Sequence, residues 1–450
     1  MSARVGWFAP GSVNRSILNA AAAVTAAGVF VKIVATFKEF AVAGVYGRTD
    51  AMDAFLAAAL IPGLLINLIA ESMNQALVPT FIRVRELEGH QRAQQLLSSA
   101  MLWTFLLLTA AAGGMAICAR GFFPLIASHF PAEKLNLAIR LFYALLPVVV
   151  LTGIATNCTA VLNTVDRFAL PALAPVVTPA AILLCAALLS ARLGIWAMVF
   201  ATVAGALIHA VWVARMMDAR GYRFQLHWYG MNEATREVAH QYGPVLLSSV
   251  VASGGLLVDQ SMAAMLPAGS VSALVYANRF ASVVITLLAG AVSSAVVPHF
   301  SRMIAQKDWA GCRHTVHTWV GLMAMISTPI AVALIAGSHW LIQLTFQHGV
   351  FGAHDTAVVT PVLAMYALQI PFFVCSRVFY RFLLAMRRSD LIFYCGLLNL
   401  GLDVILNLVL MRRMGVAGIA LATSLWTVST FLFLWYWSRK LLHAESGGAR

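Results

Sequence analysis

The sequence predicts an all-α integral membrane protein, about twelve transmembrane helices in two six-helix lobes around a central cavity. Three observations carry that prediction. First, 61% of the 450 residues are hydrophobic, 10% are charged and the mean hydropathy is +0.84, whereas soluble domains carry about 25% charged residues. Second, the chain offers a dozen apolar runs near the roughly 20 residues a spanning helix needs. Third, its Lys and Arg residues lie mostly on one side of those runs.

The N-terminal stretch "MSARVGWFAPGSVNRS" has no apolar core or small-residue cleavage site, so no cleaved signal peptide is expected. Helices are predicted near 17–47, 51–80, 97–118, 135–162, 170–191 and 194–216. A cytoplasmic linker, 217–236, separates them from helices near 237–266, 270–298, 314–336, 356–386, 391–411 and 415–437. This gives an N-terminal lobe over 1–216 and a C-terminal lobe over 237–450. Asp50 reads as the N-cap of the second helix, and "EGHQRAQQLL" (88–97) as an amphipathic segment on the inner surface. Pro62, Pro79, Pro147, Pro244, Pro298 and Pro371 read as kinks or helix ends. Trp228, Trp309, Trp340 and Trp435 read as interfacial anchors. "ALVPTFIR" (76–83) and "AVVPHFSR" (295–302) match at five of eight positions and suggest two parallel six-helix repeats.

With the N-terminus inside, the inner segments hold Arg4, Arg15, Arg83, Arg85, Arg92, Arg167, Arg215, Arg220, Arg223, Arg236, Arg302, Lys307, Arg313, Arg387, Arg388, Arg439, Lys440 and Arg450. The outer loops hold only Arg48, Arg120, Lys134, Arg192, Arg412 and Arg413. This bias places both termini in the cytoplasm. It accounts for the net charge of +13 without a nucleic-acid partner. Six scattered cysteines show no metal-binding spacing and read as packing residues.

Six cations remain inside predicted spans: Lys32, Lys38, Arg140, Arg279, Arg377 and Arg381. Arg140 is near a helix end and can snorkel, and Arg377 and Arg381 suit a structural role near the inner end of helix ten. A central cation costs about 2.5–3.5 kcal/mol on insertion scales, so Lys32, Lys38 and Arg279 call for a wet cavity or a partner. Glu39 follows Lys32 by seven residues, which places the two on one stripe about 10 Å apart. Lys38 lies about 120° round the same helix. Asp259, Asn399 and Asp403 form an oxygen-rich group that suits sodium, a proton relay, or pairing with an Arg.

The stretch "KEFAVAGVYGRTDAMDAFLAAALIPGLL" followed by "ALVPTF" resembles the opening helices of the MurJ/MviN lipid II flippases, in the multidrug/oligosaccharidyl-lipid/polysaccharide exporter superfamily. "VYANRF" (275–280), "FQHGVFGAHDTAVVTPVLAMYAL" (346–368) and "GVAGIALATSL" (415–425) resemble that family's later motifs. The resemblance implies a non-enzymatic protein of the bacterial inner membrane, a monomer among membrane lipids that takes an undecaprenyl-diphosphate-linked glycan and moves it to the outer leaflet by alternating access. It places Lys32, Lys38, Glu39, Asp53 and Arg279 at a substrate-facing cavity. It places Asp259, Asn399, Asp403 and Thr423 at a sodium site, with Na+ or H+ coupling and no organic cofactor.

Departures from the family pattern stand beside the matches. Lysines replace arginines at 32 and 38, Ile66 and Asn67 stand where the second helix usually has an arginine, and Ser282 replaces an acid. Twelve spans are expected where many members have a further pair. An exopolysaccharide or O-antigen-type lipid-linked oligosaccharide is the alternative cargo, and a cation-coupled multidrug exporter the more distant one. "HGVFGAHD", with His348, His354 and Asp355, reads as loop and helix cap in preference to a metal site. Asp50 and Asp53 lack the nucleotide-sugar domain that a metal-dependent glycosyltransferase requires. A polymerase or ligase would need a large outer loop, and none is expected.

Overall fold

The structure, a computed structural model, describes residues 13–164, 169–306, 308–386 and 388–447. Arg4, Arg167, Lys307, Arg387 and Arg450 lie outside the described residues, as do the side chains of Arg15 and Arg302. Among the described residues every long regular element is a helix: α1 (Val13–Tyr46), α2 (Asp50–Leu65), α3 (Ser72–Glu88), α4 (His90–Ile126), α5 (Ala132–Leu162), α6 (Ala169–Leu173), α7 (Val177–Leu193), α8 (Trp196–Asp218), α9 (Glu233–Ala263), α10 (Ser270–Ala305), α11 (Trp309–Phe346), α12 (Ala353–Ala367), α13 (Gln369–Ala385), α14 (Ser389–Met414) and α15 (Val416–Gly447). Eleven of the resulting helical rods are long and apolar enough to cross a membrane. The described part of α1, with Lys32, Lys38 and Glu39, is not among them.

Two predicted spans are each built from more than one helix. A π-helical turn over Ile66–Glu71 joins α2 to α3. Between α12 and α13 the rod breaks at Leu368, and Pro371 falls in the first turn of α13, where a missing N–H costs little. Pro62, Pro79, Pro147 and Pro244 lie inside α2, α3, α5 and α9. The segment predicted as a surface helix over 88–97 is continuous with α4 from His90 onward.

Contacts group the chain into two compact units. Unit 1 comprises 1–42, 58–123 and 132–253, and unit 2 comprises 43–57, 124–131 and 254–450. The boundary near the chain's midpoint therefore falls inside α9, beyond the 217–236 connection. In unit 1 an apolar core joins Leu77 and Phe81 of α3, Leu96 and Leu97 of α4, Val161 of α5, Val213 of α8 and Val238 of α9. The inner connection is stitched to it: Gln94 donates to the Arg223 carbonyl and accepts from the Arg223 N–H, and Phe81 packs on Tyr222. Arg83 and Glu237 form an ion pair at its margin. In unit 2, Phe300 occupies the position of Phe81 in the octapeptide repeat. Both rings are fully buried, and Phe300 packs on Phe382.

Unit 2 also takes in the end of α1 and the start of α2, and non-local hydrogen bonds explain why. Val350 N–H donates to the Gly44 carbonyl at 2.8 Å, Arg48 Nε to the Gly269 carbonyl at 3.0 Å, and the Tyr276 hydroxyl to the Gly47 carbonyl at 3.0 Å. Gly47 has φ +56° with Val350 close against it, a turn only glycine makes without strain. The cap of α2 is Thr49, whose hydroxyl accepts from Met52 N–H at 3.4 Å; Asp50, expected as the cap, is the first helical residue instead. Asp355 accepts from Gly352 N–H at the start of α12 and pairs with Arg48, the helix-capping role expected for it.

Candidate functional site

The residues singled out by sequence divide between the units. Lys32, Lys38 and Glu39 belong to unit 1, and Asp53, Arg279, Asp259, Asn399, Asp403 and Thr423 to unit 2.

On α1, Lys32 is exposed and Lys38 half-buried. Lys38 Nζ meets Glu39 Oε1 at 2.7 Å, with the two side chains 17% and 9% exposed. Glu39 therefore pairs with its chain neighbour and not with Lys32, its partner on the predicted stripe. Adjacent positions point about 100° apart on a helix, so a flexible lysine stem bends round to close the pair. The result is a compact dipole beside a second ammonium, Lys32, that has no ion pair among the described residues.

Asp53, expected at the cavity, is 1% exposed. Its two carboxylate oxygens accept from Gly269 N–H at 2.7 Å and Ser272 N–H at 2.9 Å. These are orphan donors at the start of α10, so Asp53 caps that helix from another one and also suits its positive dipole end. Arg279 lies half-buried two turns further along α10. Asp53 is thus a positioning residue for the helix that carries Arg279. Ser282, which stands where the family has an acid, returns its hydroxyl to the Arg279 carbonyl at 2.9 Å.

The acidic group is assembled tightly. Asp259 on α9 accepts from Thr423 Oγ1 of α15 at 3.0 Å and from Asn407 Nδ2 of α14 at 2.8 Å. Asn407 Nδ2 also donates to Asp403 Oδ1 at 3.1 Å, so one amide bridges both carboxylates with its two hydrogens. Neither aspartate has an ion pair among the described residues, so the Arg pairing left open by the sequence does not occur. Asp403 Oδ2, Asn407 Oδ1 and Asn399 Oδ1 are shut off from solvent without a hydrogen-bond donor. Asn399 turns its amide nitrogen to Thr430 Oγ1 at 2.8 Å. Opposite Asp403 Oδ2 lies Gly255, where a Cβ would come within 3.5 Å.

Two carboxylates held by neutral donors alone in an apolar bundle carry several kcal/mol of uncompensated desolvation each. The open oxygens on Asp403, Asn407 and Asn399 are the ligands a hard monovalent cation takes. The residues therefore fit sodium. Asn407 was missed by sequence reasoning, although it continues the four-residue spacing of Asn399 and Asp403 along α14. Glu71 was also left unassigned; like Asn67, singled out above, it falls in the turn over Ile66–Glu71. Both are exposed on the π-turn, within a rod that could span a membrane.

A family model described as lipid II flippase MurJ matches residues 42–448. A probable lipid II flippase MurJ of Synechocystis sp. is 23% identical over 454 residues, covering 97% of this chain and 84% of that relative. The lipid II flippase MurJ of Burkholderia cenocepacia is 24% identical over 353 residues, covering 75% of this chain and 67% of the relative. Among solved structures, lipid II flippase MurJ in an inward closed conformation superposes with TM-score 0.79 at 22% identity, over 92% of this chain and 86% of that one. An inward-facing multidrug resistance MATE family transporter of the MOP superfamily superposes with TM-score 0.74 at 14% identity, over 93% and 96%. The two superpositions establish the same helical fold, and the match over 42–448 establishes more: the chain belongs to the lipid II flippase MurJ family.

Proposed function

We propose that this protein carries a polyprenyl-diphosphate-linked sugar, lipid II or a related peptidoglycan precursor, from the inner to the outer leaflet by alternating access. The observation that carries the reading is on α1: an exposed lysine and a lysine–glutamate pair in an otherwise apolar helical stretch. Lysine offers a compact, mobile cation to a diphosphate. Lys38 can exchange Glu39 for a phosphate oxygen, while Lys32 needs no partner removed first. Arg279, held by the Asp53-capped α10, offers a guanidinium fork of the kind that takes a diphosphate. The protein acts as a monomer in the bacterial inner membrane with both termini cytoplasmic.

Asp259, Asp403, Asn407, Asn399 and Thr423 form the coupling site. Sodium, where bound, would supply the positive charge that these carboxylates lack. Thr423 and Asn407 orient Asp259, and Asn407 holds Asp403 so that its second oxygen stays open. In its absence a proton on either aspartate relieves the same deficit.

An exopolysaccharide or O-antigen-type unit is the second reading. It is favoured by Ile66 and Asn67 at the helix-two position and by Ser282, whose hydroxyl is spent on its own helix. The test is depletion in the native host followed by analysis of the lipid-linked glycans. Accumulation of lipid II supports the first reading, accumulation of another glycan the second. A purified protein that binds cationic dyes and ignores undecaprenyl diphosphate would overturn both.

A further inference from the structure

Tyr366 lies in the last turn of α12, in the same unit as the acidic group, and is 3% exposed. A phenol enclosed in this way needs a partner for its hydroxyl, because an unpaired one is costly away from water. The polar groups about that hydroxyl are Thr423, in hydrogen-bonding range, and the carboxylates of Asp259 and Asp403. Beside it, Ser424 Oγ donates to the Met365 carbonyl at 2.5 Å and fastens α15 to α12 at the same level. The phenol thus sits where α15 presents Thr423 to the carboxylates.

Thr423 is poised between two arrangements. Its hydroxyl has one hydrogen and two acceptors in reach, Asp259 Oδ2 at 3.0 Å and the Ile419 carbonyl at 3.1 Å. Directed at Asp259, the hydrogen lies on the side from which a cation approaches that oxygen. Directed at Ile419, it makes the return to the preceding turn that Thr427 and Thr430 also make. The second arrangement frees both lone pairs of the Thr423 oxygen. One can then face a cation beside Asp259, provided that the other is held by a donor. The Tyr366 O–H is such a donor.

We propose that Tyr366 is a positioning residue of the cation site: its hydroxyl donates to Thr423 Oγ1, so that Thr423 sends its hydrogen to Ile419 and turns a lone pair to the ion. The proposal rests on the coupling-site reading above. It adds to that site a side chain that touches Thr423 and not the ion. Tyr366 therefore contributes to sodium binding only while Thr423 has an oxygen to receive its hydrogen.

The test uses the full chain purified in detergent, with thermal unfolding followed in sodium chloride and in choline chloride at equal ionic strength. The rise of the midpoint with sodium concentration gives the sodium dissociation constant. Tyr366→Phe keeps the ring and removes the donor, and sodium should bind about three- to tenfold more weakly. Thr423→Val removes the acceptor, and in that background Tyr366→Phe should change sodium affinity by less than about twofold. Equal affinity in the parent and Tyr366→Phe would overturn the proposal, and so would a full second loss in the Thr423→Val background. A fluorotyrosine at position 366 keeps the hydroxyl and guards against misfolding. Its fluorine NMR resonance should shift with sodium and stay in place with choline. A resonance left unmoved in a protein that sodium stabilises removes Tyr366 alone from the site. Coincident melting of the parent in the two salts would overturn the sodium reading and this proposal together.

Discussion

The lysines of α1 and the aspartates of α9 and α14 face the same problem, a charge inside an apolar helix, and solve it in opposite ways. Lys32 keeps its ammonium exposed and Lys38 borrows a counter-charge from the next residue. Asp259 and Asp403 give up water and take Thr423 and Asn407 in exchange, leaving Asp403 Oδ2 open. The first arrangement can release its charge to an anion that comes and goes. The second is packed, and accepts only something as small as an ion or a proton.

Four substitutions would break or sharpen that contrast. The largest effect is expected from Lys38→Ala, which should abolish complementation of a flippase-depleted strain while the amount of inserted protein is unchanged. Normal growth would remove α1 from substrate recognition. Asp53→Ala comes next, because it leaves two buried N–H groups of α10 without acceptors. It should lower stability by about 2–6 kcal/mol in chemical denaturation, and Asp53→Asn by less. An unchanged midpoint would mean that the α10 cap carries no weight. Asp403→Asn should remove a sodium-specific stabilisation that in the parent protein reaches about 2.7 kcal/mol at a hundredfold excess over the dissociation constant. Equal melting in sodium and choline chloride before mutation would leave the proton as coupling ion. Thr49→Ala should cost only about 1 kcal/mol through the lost α2 cap, and a null effect would return that role to Asp50.

Most of the helical scaffold was legible because hydropathy alone dictates it: runs such as 194–216 and 391–411 have few other options in a chain this apolar. The charged positions were equally visible, since Lys32, Asp259 and Asp403 stand out against such a background. Their partners were less so. That Asp53 caps α10 depends on Gly269 and Ser272, 216 and 219 residues away, and no local pattern encodes such a pairing. Asn407 was hidden because a single amide in an apolar helix has many bland uses. Only the fold brings it between two carboxylates. Glu39 was assigned by helical stripe, but the reach of the lysine stem outweighed the stripe.

The π-turn over Ile66–Glu71 has a consequence for how this rod tolerates change in length. A turn closed by an i→i+5 bond holds one residue more than an α-turn. Everything after it is therefore advanced by about 100° in phase. Leu77 and Phe81, fully buried on α3, stay on their face because the turn takes up that extra residue. Removing one residue between 66 and 71 would let an ordinary α-turn take its place and keep both side chains in their core, whereas the same deletion within the regular part of α3, ahead of Leu77, would turn them by about 100°.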